Sequence, residues 1–185
     1  MALTWARIAF IPLIVGVFYV PDALVSPHMK NVLACIMFII AAITDALDGY
    51  IARNYNMATM MGAFLDSVAD KLVVCSAIVV LLAFDRVDMI VALIIVGREI
   101  AVTALREWMA KIGAAATVKV NWFGKIKTIA QMTAIPMLLF FDPFFGIDIY
   151  LVGTVLIWVA AVLTVYSMFV YMSAAWPHIE GGDAK

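Results

Sequence analysis

The chain has 185 residues, of which 66% are hydrophobic and 14% charged, and its mean hydropathy is +1.09. A soluble domain is roughly 45–50% apolar and about 25% charged, so this composition excludes a water-soluble monomer and equally a disordered chain. Twelve basic against thirteen acidic residues leave a net charge of −1, which gives no footing for nucleic acid; the expected class is an all-α, polytopic membrane protein.

Six apolar runs follow along the chain, at 8–20, 31–44, 72–84, 89–96 (continuing past charges to 109), 128–141 and 149–172. Only the last is a charge-free stretch longer than 20 residues, as a clean transmembrane helix requires. The middle runs give about 21 Å of helix against a hydrocarbon core of about 30 Å. Each therefore has to carry charged residues into the membrane on one side. The expected architecture is six transmembrane helices plus a short N-terminal interfacial helix at 3–7, in a single domain spanning 1–185. Segment 1–26 has one arginine and an apolar stretch but no small-x-small cleavage site, so it reads as a retained helix and not a cleaved signal.

The loops divide by charge. Segments 21–29, 85–88 and 142–148 hold Pro, Gly and acidic residues, with only Lys30 and Arg86 basic at their edges. Arg7, Arg53, Lys71, Arg98, Arg106, Lys111, Lys119, Lys125, Lys127 and Lys185 lie on the other side, which the positive-inside rule makes cytoplasmic, with both termini. Trp5, Trp108, Trp122 and Trp176 fall near that side, as interfacial anchors do, whereas Trp158 is mid-span and reads as packing. Cys35 and Cys75 sit in apolar runs and read as small packing residues. Met57, Met60 and Met61 read as packing too, and neither His28 nor His178 has a partner at ligand spacing.

Four aspartates stand where runs two and three reach the cytoplasmic side. Asp45 and Asp48 are spaced i, i+3 and Asp66 and Asp70 i, i+4, so each pair shares a helix face. Fourteen residues separate Asn31 from Asp45, and fourteen separate Asp70 from Phe84. An antiparallel hairpin therefore brings both pairs to one level, about 20 Å from the outer end. Carboxylates inside a membrane segment face a cavity or a partner, and four cannot ionise side by side without cations. Arg53 and Lys71 are the nearby positive charges, and an oxygen-rich site of this kind suits Mg²⁺ or Mn²⁺, with room for two ions.

Written out, the segment reads Asp45-x2-Asp48-Gly49-x2-Ala52-Arg53-x8-Gly62-x3-Asp66-x3-Asp70. Nine fixed positions at fixed spacing resemble the CDP-alcohol phosphatidyltransferase family. Gly97-Arg98-Glu99, Leu105-Arg106-Glu107, Gly124-Lys125-Ile126-Lys127-Thr128, Gln131-Met132 and the opening Leu3-Thr4-x-x-Arg7 resemble a bacterial branch of it. Two departures are visible: Ser67 stands where proline is usual, and the chain opens at Met1-Ala2 where an Asn-Pro-Asn-like stretch is common. The resemblance implies a six-helix membrane enzyme, usually a homodimer, that moves a phosphatidyl group from CDP-diacylglycerol to an alcohol and releases CMP. It also implies that Asp45, Asp48, Asp66 and Asp70 hold metal, that Asp70 is the general base, and that Gly49, Ala52, Arg53 and Gly62 line the CDP pocket. Thr4 and Arg7 are further candidates.

The acceptor is partly readable from charge. Arg98 lies about 14 Å from the outer end of its run, a depth at which a guanidinium has to meet an anion. Arg106 is two turns on, Lys125 and Lys127 open the fifth run, and Glu99 and Glu107 are expected to hold the arginines. Such a basic cluster suits a phosphate on the acceptor, as in glycerol 3-phosphate. The expected product is then phosphatidylglycerophosphate, made at a bacterial cytoplasmic membrane. Inositol phosphate, phosphatidylglycerol or serine is the alternative acceptor. A cation transporter is the alternative of another class, and the basic cluster opposes it.

Overall fold

A computed structural model describes residues 2–55, 60–113 and 122–180. The side chains at 2–4, 6, 46, 48–55, 60, 61, 63, 64, 123, 125 and 178–180 lie outside the description. The described residues form six helices: α1 (Ala2–Val17), α2 (Pro27–Tyr55), α3 (Met60–Ala83), α4 (Met89–Lys111), α5 (Trp122–Phe140) and α6 (Ile149–Glu180). Each apolar run seeds one of them. Segment 3–7 is the opening of α1, continuous with the apolar stretch that follows.

Local chemistry sets the helix ends. Ser26 Oγ accepts from the Met29 amide at 3.3 Å ahead of α2, whose first residue is Pro27, a position where a missing N–H costs nothing. Asp88 Oδ1 accepts from the Ile90 amide at 2.7 Å, and Asp148 Oδ1 from the Leu151 amide at 3.0 Å. Helix α3 ends with the Arg86 amide donating to the Leu81 carbonyl at 2.8 Å and Asp85 to Leu82 at 3.1 Å. That is a Schellman closure, with Asp85 taking the left-handed φ of 54° usually left to glycine. Arg86 then turns onto the end of α5. Its Nη1 donates to the Leu139 carbonyl at 2.9 Å, its Nη2 to Asn31 Oδ1 at 2.7 Å, and its guanidinium lies 4.4 Å from the Phe141 ring centroid. A cation at a helix C-terminus satisfies carbonyls that have no partner within the helix.

Helix α1 packs on α2 and α3, α2 also on α5, α4 on α3 and α6, and α5 most extensively on α6. The interior is built from Phe38, Ile78, Leu81, Ile95, Ile135, Leu138 and Ile157, all essentially inaccessible. Helices α5 and α6 pack tightly at Gly153, where an added Cβ would lie 3.0 Å from Leu138 Cγ and 3.1 Å from Met137 Cβ.

Two helices among the described residues contain stretches long and apolar enough to cross a membrane, Pro27–Asp45 and Ile149–Pro177, and only 28% of each is buried within the chain. Core helices of a soluble protein would be mostly buried, so these two faces call for an apolar surrounding. Ile36, Ile39, Ile40 and Ile43 on α2 and Val155, Val159 and Val162 on α6 face outward. Trp158 is also exposed, which corrects its reading as a packing residue; α6 is apolar on every side, so its sequence carries no periodicity to tell the faces apart. Trp5, Trp108, Trp122 and Trp176 are exposed as expected of anchors. Cys35 and Cys75 are free thiols. His28 does find a partner, Asp142 at 2.7 Å, which lies 114 residues away and so escaped any reading by spacing.

Candidate active site

Antiparallel α2 and α3 bring the end of one and the start of the other to a common level, as the residue counts required. Helix α1 contributes the cation that meets them there. Arg7 Nη1 lies 2.8 Å from Asp45 Oδ1 and 2.9 Å from Asp66 Oδ1, and its side chain is 1% exposed. Two carboxylate oxygens that share one donor are close enough for a single cation to touch both. Carboxylate oxygens of this kind are the donors that a hard cation takes. Among the described residues no three His, Cys, Asp or Glu side chains gather as a metal cluster. The Asp48 side chain lies outside the description, as do those of Gly49, Ala52, Arg53, Thr4 and Lys125, while Gly62 is half-buried one turn before Asp66 on α3. The sequence suggested Arg53 and Lys71 as the charges balancing the aspartates. Arg7 stands with Asp45 and Asp66, and Lys71 stands beside Asp70 at the cavity that both line, its Nζ donating to the Ser67 carbonyl at 2.8 Å and to Ser67 Oγ at 2.6 Å.

Asp70, one turn after Asp66 on α3, faces a chamber. A cavity of about 260 Å³ is lined by Asp70 and Lys71 of α3, Arg98, Glu99 and Arg106 of α4, Lys127 and Gln131 of α5, and Tyr171 of α6. Glu99 organises the cations: it receives Arg98 Nη1 at 3.2 Å and is hydrogen-bonded to Lys127 Nζ. Lys127 is 3% exposed, and a charge so buried is stable only when paired. The expectation that Glu99 holds Arg98 is met. The matching expectation for Glu107 is not, because Glu107 pairs with Lys111 at 3.0 Å on the exposed face. Both glutamates follow their arginine by one residue, so spacing does not separate them; Glu99 is 16% exposed and Glu107 66%, and the packing of α4 at each point decides which faces the cavity. Arg106 is instead held by Tyr171, whose hydroxyl accepts from Nη2 at 2.7 Å and whose ring lies 5.0 Å from the Arg106 guanidinium and 5.9 Å from that of Arg98. Such stacking fixes guanidinium planes while leaving their edges for a ligand.

Tyr171 was missed in the sequence because it stands in the long apolar run that forms α6. Gln131, a polar residue inside the fifth apolar run, was noticed only as part of a resemblance. Of the four acceptor-site candidates, Arg98, Arg106 and Lys127 share this cavity. The chamber joins a carboxylate able to take a proton to cations able to hold a phosphate, with apolar surfaces at Val74 and Met132. That pairing suits transfer of a phosphoryl-linked group to a hydroxyl carried by an anionic molecule.

The chain belongs to the CDP-alcohol phosphatidyltransferase family, whose sequence profile matches residues 1–166. Among similar proteins, one of Salmonella typhimurium is 43% identical over 175 residues, covering 94% of this chain and 92% of that protein. One of Shigella flexneri is 44% identical over 175 residues, with the same coverage. One of Yersinia enterocolitica is 43% identical over 176 residues, again covering 94% and 92%. All three are named CDP-diacylglycerol–glycerol-3-phosphate 3-phosphatidyltransferase.

Proposed function

We propose that the chain is a phosphatidyltransferase that joins CDP-diacylglycerol to glycerol 3-phosphate, giving phosphatidylglycerophosphate and CMP. The observation that carries this reading is the single cavity holding Asp70 together with Arg98, Arg106 and Lys127. The names of the relatives point the same way.

The acceptor's phosphate is held by Arg98, Arg106 and Lys127, with Lys125 beside them in sequence. This places its free hydroxyl near Asp70. Asp70 takes the hydroxyl proton as the oxygen attacks the lipid-side phosphorus, and the bond to CMP breaks in line. Asp45, Asp48, Asp66 and Asp70 would hold the divalent metal, Mg²⁺ or Mn²⁺ and two ions in this reading. When bound, the metal supplies neutralisation of the pyrophosphate charge. Gly49, Ala52, Arg53 and Gly62 line the CDP pocket, and Thr4 and Arg7 of α1 border it. Arg7 holds Asp45 and Asp66 across α2 and α3, which positions that pocket.

The reading extends to the whole molecule. Residues 1–185 form one domain, with six transmembrane helices, an interfacial opening segment and both termini on the cytoplasmic side of a bacterial inner membrane. It works as a homodimer with membrane lipid around it. The apolar outward faces of α2 and α6 support the membrane setting. A cationic cavity repels the ions that a cation transporter would carry.

The deciding experiment supplies purified protein with CDP-diacylglycerol, Mg²⁺ or Mn²⁺ and each candidate acceptor, and measures CMP. Release is expected with glycerol 3-phosphate. Release with serine, inositol phosphate or phosphatidylglycerol in its place overturns the acceptor assignment, and ion flux across liposomes without CMP overturns the enzyme.

A further inference from the structure

Two polar atoms on side chains lining the cavity are buried without a hydrogen-bond partner among the described residues: Nε of Arg98 and Oε1 of Gln131. One is a donor and the other an acceptor. Buried polar atoms in folded proteins nearly always find partners, and an unmet one costs more than its bond would gain. Gln131 is 3% exposed. It follows Lys127 by four residues on α5, so it lies on the same face one turn farther from the cytoplasmic end, a rise of about 5–6 Å. The surfaces around it include Val74 and Met132.

Several other polar groups of the cavity are engaged within the protein. Glu99 receives Arg98 and Lys127. The Tyr171 hydroxyl receives Arg106 at 2.7 Å, and Thr128 Oγ1 donates to the Gly124 carbonyl at 2.9 Å. A ligand that satisfies both unmet atoms has to offer an acceptor, such as a phosphate oxygen, to the arginine and a hydrogen-bond donor to the amide oxygen. A phosphate monoester with one hydroxyl left over after the reacting hydroxyl has met Asp70 fits this description.

We infer that Gln131 is a specificity-determining residue that accepts a hydrogen bond from the second, non-reacting hydroxyl of the acceptor. It thereby selects phosphorylated diols over phosphorylated simple alcohols. The inference rests on the proposed reading that the acceptor is glycerol 3-phosphate, whose middle hydroxyl is the one read. A site built to receive a substrate hydroxyl rejects the analogue lacking it, because the buried acceptor is then left unmet.

The test compares glycerol 3-phosphate with 3-hydroxypropyl phosphate, which keeps the phosphate and the terminal hydroxyl but lacks the middle one. Purified full-length protein receives CDP-diacylglycerol and Mn²⁺ or Mg²⁺, and kcat/KM is taken from CMP release. Wild-type protein is expected to favour glycerol 3-phosphate by about tenfold or more, and in Q131M, which keeps the side-chain length without the acceptor, that ratio should fall toward one. A wild-type ratio near one overturns the inference and needs no variant to fold. A Q131M protein that keeps the full ratio, with both substrates slowed alike, shows a merely structural role and overturns it too. Wild-type protein that releases no CMP with glycerol 3-phosphate overturns the acceptor reading and the inference together, an outcome distinct from the other two.

Discussion

Asp70 borders two charge environments. Asp66, one turn before it on α3, is held by Arg7, while Asp70 itself looks into the chamber of Arg98, Arg106 and Lys127. A carboxylate in that position shares one cavity with three cations, as the proposed role of base requires. Asp70→Asn keeps the volume and removes the proton acceptor, so CMP release should fall about a hundredfold or more. Measured turnover within a few-fold of wild type would remove Asp70 from the role of base. Tyr171 is a subtler case. Tyr171→Phe keeps the ring beneath both guanidiniums and deletes only the hydroxyl that receives Arg106. One such hydrogen bond is worth about 1 kcal/mol, so KM for glycerol 3-phosphate should rise about three- to tenfold with kcat little changed. Initial-rate kinetics check this, and a fall in kcat at constant KM would place the hydroxyl in the chemical step instead.

At the scale of elements, α4, α5 and α6 act as one wall of the chamber, and their mutual fit sets where its cations stand. Gly153 is a tight point between α6 and α5, where an added Cβ would lie 3.0–3.1 Å from Leu138 and Met137. Gly153→Leu forces the helices apart and should destabilise the protein by about 1–3 kcal/mol, read as a lower unfolding temperature in detergent. The contrast is Gly97 in α4, where an added Cβ meets nothing within 4 Å. Gly97→Ala should stabilise the helix by up to about 1 kcal/mol. Equal responses at the two positions would mean that the α5–α6 contact does not limit stability. At the other end of the bundle Arg86 ties the end of α5 to the start of α2 through the Leu139 carbonyl and Asn31.

For the whole molecule, the charge distribution separates a carboxylate site bridged by α1, α2 and α3 from a cationic chamber bridged by α3, α4, α5 and α6, with Asp70 belonging to both. The near-neutral total of −1 averages these two regions and so says little about either. A protein arranged this way should lose CMP release on chelation with EDTA and regain it with Mg²⁺ or Mn²⁺. Activity that survives exhaustive chelation would exclude a metal role for the aspartates. The lysine and arginine asymmetry also predicts a cytoplasmic C-terminus. A C-terminal green fluorescent protein fusion should fluoresce and an alkaline phosphatase fusion should be inactive, and the reverse would invert the topology.

Much of the site was legible from spacing, because i, i+3 and i, i+4 intervals fix faces within a helix and equal residue counts fix depth across a hairpin. Helix number was legible from the apolar runs, and the family from nine residues at fixed intervals. Partners distant along the chain were not. Arg7 reaches Asp66 across 59 residues and Arg106 reaches Tyr171 across 65, and no local periodicity records such distances. Glu99 and Glu107 each follow an arginine directly, yet only Glu99 points inward, because helix rotation and packing decide which of two similar residues meets the cavity. The sequence by itself determined that a charged site is sunk into apolar helices, and the match of nine spaced residues to a family pattern is what implied its class of chemistry. Only the tertiary structure decided which cations stand with Asp70, what holds them, and which buried atoms are left for a ligand, because those depend on how four helices close around one space.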